Sequence, residues 1–163
     1  MKKILCALII CMFSSFATGC SKDHRQVVKN QNNPKIIIEE YFNHWNNKDS
    51  NKMILLHTEA RQKDYRNSNM QWEFDNLMSV KLLSCEEVTS KSLIEDEIKR
   101  AVDAKVVPKD ANNENVKCFN VKFDIKLNNP NEGSRDDGVS QERITLVRND
   151  KNSQWLIQDM GEA

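Results

Sequence analysis

Net charge is the first thing this sequence lacks. Its 24 basic and 24 acidic residues cancel, so no long-range field draws the chain onto nucleic acid, and no nucleic-acid partner is expected. It also lacks an apolar run of the roughly 20 residues that a permanent membrane-spanning helix takes. Metal-ligand patterns are missing. The three histidines, His24, His44 and His57, form no pair at ligand spacing, and there is no Cys-x-x-Cys. The acidic runs Glu95-Asp96-Glu97 and Asp136-Asp137 lack the glycine and spacing of a calcium loop. No metal and no other cofactor is expected. Internal repeats are absent. Glycine (4) and proline (3) are scarce beside abundant Asn and Lys, a bias typical of AT-rich genomes that carries no functional weight. With 39% hydrophobic and 29% charged residues in 163, the chain has the make-up of one globular domain and not of a disordered segment.

The N-terminus carries the most specific signal present. Lys2 and Lys3 precede the unbroken apolar run Ile4–Phe13, and the small residues Ser14, Ser15, Ala17, Thr18 and Gly19 lead into Cys20. That run has the length of a signal-peptide core. Ala17-Thr18-Gly19-Cys20 resembles the bacterial lipobox, with Ala17 where leucine is commoner. The resemblance implies a signal peptide over 1–19 and a diacylglyceryl thioether on Cys20, which becomes the mature N-terminus. The protein would then sit on the extracytoplasmic face of the cell membrane, with the membrane as partner through its lipid. Acyl chains hold firmly, because each buried CH₂ contributes about 0.8 kcal/mol. Losing Lys2 and Lys3 leaves the mature chain slightly acidic, so an anionic bilayer would not attract it and the lipid must hold it. The polar stretch Ser21–Asn33 reads as a flexible tether of at most about 45 Å. It completes a segment 20–33 ahead of a single domain over 34–163.

The domain begins with its most strongly patterned stretch, Asn33–Met53. Asn33 caps a helix and Pro34 suits its first turn. Ile38, Phe42 and Trp45 recur at helical spacing beside Ile37 and Tyr41, a wide apolar stripe on a helix ending near Lys48. Asp49 or Ser50 caps a shorter helix with Met53, Ile54 and Leu56. Thr58–Gln71 reads as a loop or a third helix. Met78–Val88 reads as a strand with Val80, Leu82, Leu83 and Cys85 as inward candidates. Ser90–Asp103 fits either a helix or the twisted end of a hairpin, and Pro108–Asn115 is a turn. Val116–Leu127 is the clearest strand. Phe119, Val121, Phe123, Ile125 and Leu127 point one way, and Cys118, Asn120, Lys122, Asp124 and Lys126 the other. One face is therefore expected in the core and one in water, with Lys117, Lys122 and Lys126 on the outer side. Arg143–Arg148 and Gln154–Met160 flank a turn at Asn149–Ser153, a hairpin with Ile144, Leu146, Trp155 and Ile157 inward. Helices followed by an antiparallel meander predict an α+β fold, the helical stripe laid on the apolar sheet face.

Ile38–Asp49 resembles the first helix and its exit in cone-shaped folds similar to nuclear transport factor 2. Trp72-Glu73-Phe74-Asp75-Asn76-Leu77 and Trp155-Leu156-Ile157-Gln158-Asp159-Met160-Gly161 resemble a domain of unknown function (family 4829) of lipoproteins from low-G+C Gram-positive bacteria. The resemblance covers roughly Pro34–Gly161. It implies a curved antiparallel sheet wrapped on a long helix, often enclosing a pocket, and no particular reaction.

Enzymes of that fold class place Asp, His or Tyr in the pocket, and here Tyr41, His44, His57, Asp75 and Asp159 are available. Each has a plainer reading. Tyr41 belongs to the stripe, His44 to its edge, and His57 to a helix C-terminus where a cation suits the dipole. Asp75 and Asp159 read as turn or cap residues. Tyr41, His44, Trp45, Trp72 and Asp75 form the candidate pocket set, aromatic walls with a few polar groups. Cys6 and Cys11 leave with the leader, so Cys85 and Cys118 remain as a disulfide or as two thiols. The expectation is a non-catalytic envelope lipoprotein that binds a small molecule or an envelope protein. An acid–base enzyme and a ligand-free spacer are the alternatives.

Overall fold

The structure is a computed structural model that describes residues 33–68 and 72–162. The signal peptide, Cys20 and the tether up to residue 32 lie outside the described residues, as do Met70 and Gln71. The described chain runs α1 (Pro34–Asn46), α2 (Ser50–Leu55), α3 (Glu59–Asn67), β1 (Leu77–Glu87), α4 (Lys91–Asp103), β2 (Val116–Leu127), β3 (Gly138–Val147) and β4 (Leu156–Glu162). The strands form one antiparallel sheet in the order β1-β2-β3-β4. The expected α+β class, helices ahead of an antiparallel sheet, is what is found. Among the described residues no helix is long and apolar enough to cross a membrane.

Caps set the first two helices. Asn33 accepts from the Lys35 N–H at 3.1 Å and Pro34 occupies the first turn. Asp49 accepts from the Lys52 N–H at 3.1 Å and starts α2. Between them Lys48 takes a left-handed turn, φ 59°, and α1 stops at Asn46. Thr58–Gln71 resolves as a helix over Glu59–Asn67, and Ser90–Asp103 as a helix over Lys91–Asp103.

The main core lies between α1 and one sheet face. Ile37, Ile38, Tyr41, Phe42 and Trp45 are all buried, and they meet Phe119, Val121, Phe123, Ile125, Ile144 and Ile157. Phe123 is the junction, with ring centroids 5.0 Å from Phe42 and 5.6 Å from Trp45. Burying each such side chain contributes about 1.5–3 kcal/mol. Residues 56–58 close the β4 edge, where Leu56 O accepts from Ile157 N and Ile157 O from Thr58 N. On the opposite edge, Asn46 Oδ1 accepts from the Val80 N–H at 3.0 Å.

Several expectations need correction. Leu83 is 48% exposed, because register shifts in β1 between Leu77 and Ser79 and between Leu82 and Ser84 break simple alternation. The far face of β2 is not all in water. There α4 forms a second small core of Ala101, Val107, Val116 and Val147, so Cys118 is fully buried where the strand pattern predicts exposure. Lys117 shares its side with Phe119, not with Lys122, and reaches Glu87 at 2.6 Å. Cys85 pairs with Val121 on the main core face, whereas Cys118 pairs with Thr145 on the other face. A bond between them would have to pass through the sheet, and both are free thiols. Finally, β3 starts at Gly138, five residues before the expected Arg143.

Candidate functional site

The earlier start of β3 matters because it places Glu142 in the sheet. Glu142 pairs with Val121, and Ile144, two residues on, pairs with Phe119. Glu142 therefore stands on the main core face. A carboxylate at a core-facing position needs a partner. Arg135, in the connection between β2 and β3, supplies one at 3.6 Å. Burial raises the Glu142 carboxyl above its ordinary range, and the nearby guanidinium offsets that only in part.

Arg135 has a second contact. Its guanidinium carbon lies 4.5 Å from the centre of the Trp45 ring, within the range of a cation–π interaction. Tyr41 packs edge-on to Trp45 with centroids 6.1 Å apart. Burial pushes its phenol well above the ordinary value, and Tyr65, Arg135 and Glu142 all lie within electrostatic reach of it. Tyr65, from α3, sits 5.6 Å from Trp72, which stacks on Phe74 at 6.0 Å. Its phenol too is raised, again mainly by burial. The result is one corner of aromatic rings around a carboxylate and a guanidinium.

His57 forms the floor of that corner. It is 1% exposed, with its ring 5.6 Å from Tyr41 and 4.9 Å from Tyr65. Nδ1 donates to the Met53 carbonyl at 2.9 Å, which leaves Nε2 as an acceptor. Among the described residues Nε2 has no hydrogen-bond partner. Burial lowers its pKa and Arg61 adds to that, so at neutral pH the ring is uncharged. This corrects the reading of His57 as a cation on a helix end: it serves the carbonyl as a neutral donor from inside the core.

The other predicted residues divide. Tyr41, Trp45 and Trp72 belong to the corner, though Tyr41 and Trp45 are packed core side chains first. His44 is half-buried on α1, and its carbonyl accepts from Asp49 N at 2.9 Å. Asp75 is an exposed turn residue whose carbonyl accepts from the Asn128 amide at 3.0 Å; it is not part of the corner. Asp159 lies in β4 and not at a turn or cap, and binds Arg61 at 2.6 Å. Three corner residues escaped sequence reading: Tyr65, Arg135 and Glu142. Glu142 was detectable as a charge two residues before Ile144, had the strand been extended. Arg135 lies in a polar connection whose path only the fold sets. Among the described residues no group of three His, Cys, Asp or Glu could hold a metal ion.

An open four-stranded antiparallel sheet, with α1 on one face, α4 on the other and a polar aromatic corner, defines a small α+β domain. Residues 35–161 match the family described as a domain of unknown function (DUF4829), and the chain belongs to that family. No curated protein matches the chain.

Proposed function

We propose that this is an exported lipoprotein of a Gram-positive cell envelope, held to the outer face of the membrane by lipid on Cys20. Its domain is a non-catalytic, cone-shaped relative of nuclear transport factor 2 that binds a small molecule. The observation that carries the binding reading is Glu142, a carboxylate on a core-facing strand position within electrostatic reach of Tyr41 and Tyr65, whose partner Arg135 lies over Trp45. A domain that needed only a filled core would place an apolar side chain there. The strand irregularities in β1 and at Thr145/Leu146 support a bent sheet, since bulges curve strands. A small-molecule site with aromatic walls and few polar groups suits such a bend.

An acid–base enzyme is the second reading, favoured by the raised carboxyl of Glu142. Against it, Arg135 lies on the very carboxylate that would act as base.

Native mass spectrometry of the chain purified from its own host in detergent tests binding. A retained small molecule, lost in Glu142→Gln, is the expected result; an empty protein in every preparation overturns it. Radiolabelled palmitate should enter the wild type and not Cys20→Ser, and equal labelling of both removes the anchor.

A further inference from the structure

Resting on that reading of the corner as a binding site, we infer that its ligand is an organic cation, ammonium or guanidinium in class, and that Arg135 occupies its place when the site is free. The geometry is that of a cation seat already filled from within. The Arg135 guanidinium lies over the Trp45 ring at 4.5 Å and faces the Glu142 carboxylate at 3.6 Å. Aromatic faces and a carboxylate together form a negative, low-dielectric surface, which is how proteins recognise organic cations. The ion pair is not tight: 3.6 Å is longer than a charge-assisted hydrogen bond of about 2.7–2.9 Å. Its side chain is also 39% exposed, so it can leave into water without disturbing the core.

The loop that bears Arg135 is held independently of that seat. Ser134 N donates to both Glu73 carboxylate oxygens, at 2.9 and 3.2 Å. Gly133 beside it has φ 102°, and a Cβ there would come within 2.8 Å of Glu73 Oε2. The Asn76 amide donates to the carbonyls of Asn129 and Glu132 at 3.0 and 2.7 Å. Backbone anchoring of this kind lets the Arg135 side chain swing out while the loop stays in place. An anionic ligand would have to sit against Glu142, and a neutral one would leave that carboxylate without a countercharge once Arg135 is displaced. A cation replaces both contacts that Arg135 gives up.

The test uses the full chain in detergent, with ethylguanidinium as probe and N-ethylurea as its neutral isostere, at constant ionic strength. Tryptophan fluorescence and thermal shift report binding. Removing the internal competitor in Arg135→Ala should tighten ethylguanidinium binding at least ten-fold over wild type. It should also give at least ten-fold preference over N-ethylurea. Adding Glu142→Gln should abolish that preference. Arg135→Gln, which keeps much of the aliphatic stem and a polar end but removes the charge, repeats the test should the alanine variant fold poorly. Equal binding of the two probes overturns the cation assignment and leaves the small-ligand reading standing. Ethylguanidinium binding that Arg135→Ala does not tighten, or that survives Glu142→Gln, also overturns it. No binding of either probe, with no ligand retained from the host, removes both.

Discussion

Replacing His57 by phenylalanine is expected to make the domain less sensitive to acid while barely changing its stability at neutral pH. At about pH 7.5 the substitution deletes the Nδ1–H bond to the Met53 carbonyl, a loss of about 1 kcal/mol. It also removes Nε2, which is buried with no partner among the described residues and costs about 1–3 kcal/mol where it stands. The two effects oppose, so the variant should match or modestly exceed the wild type. Acid separates them. In the unfolded chain the imidazole takes up a proton near its ordinary pKa of 6.5, whereas burial and Arg61 hold the folded-state value lower. Below 6.5 the unfolded state therefore binds more protons, and stability falls with pH by up to about 1.4 kcal/mol per unit until the folded ring titrates. Glu142 acts in the opposite sense. Its raised carboxyl lets the folded state hold a proton above the ordinary carboxyl range, which adds stability as pH falls. Comparison with the variant cancels that contribution. Urea unfolding followed by tryptophan fluorescence at about pH 7.5 and 5.5 measures both effects. The wild type should lose up to about 1.4 kcal/mol more than His57→Phe across that interval. Parallel losses would refute the claim that the ring is neutral and buried in the fold.

Phe123→Ala should cost about 3–5 kcal/mol, because its ring joins Phe42 and Trp45 to the sheet. Leu83→Ser should stay within about 0.5 kcal/mol, as is usual at exposed positions; chemical denaturation compares the two directly. Glu97 is buried and accepts from Arg100 at 2.9 Å and from Thr145 Oγ1 at 3.4 Å. Glu97→Ala should therefore lose about 1–3 kcal/mol and speed hydrogen exchange in α4 and β3 while leaving α1 protected. Without reductant, a maleimide should modify both Cys85 and Cys118 after denaturation. In the native domain Cys85 should react slowly, its thiol pushed up to about 11 by burial, and Cys118 not at all. A mass showing a Cys85–Cys118 bond would refute the facing assigned to β1 and β2. Asp49→Ala should cost about 1 kcal/mol through the lost cap on α2, read as a drop in urea midpoint.

How much the sequence revealed differs between the fold and the corner. Local chemistry decided α1, its Asn33 cap and Pro34, a second helix capped by Asp49 or Ser50, and the inward side of β2 from Phe119 to Leu127. Each depends on spacing along one element, and spacing is written in the chain. The ambiguous stretch Ser90–Asp103 needed tertiary context, because Ile98, Val102 and Ala101 become a helical face only when Val116 and Val147 are there to meet it. Cys118 failed for the same reason: alternation says which side a residue takes and not what covers that side. The corner was half visible. Tyr41, Trp45 and Trp72 could be picked out by residue type, whereas Tyr65, Arg135 and Glu142 come from α3, a connecting loop and an extended strand.

By itself, then, the order of residues determined the first two helices and the central strand β2 with their greasy sides, since hydrogen-bonded helices and strands impose fixed periods on whatever sequence adopts them. It also carried the lipobox-like Ala17–Cys20. Only the tertiary structure decided that α4 shelters the back of the sheet, that the two thiols face apart, and that a loop arginine lies between an indole and a carboxylate. Those outcomes depend on how separate elements meet across many residues of chain, and no period within a single element encodes that meeting.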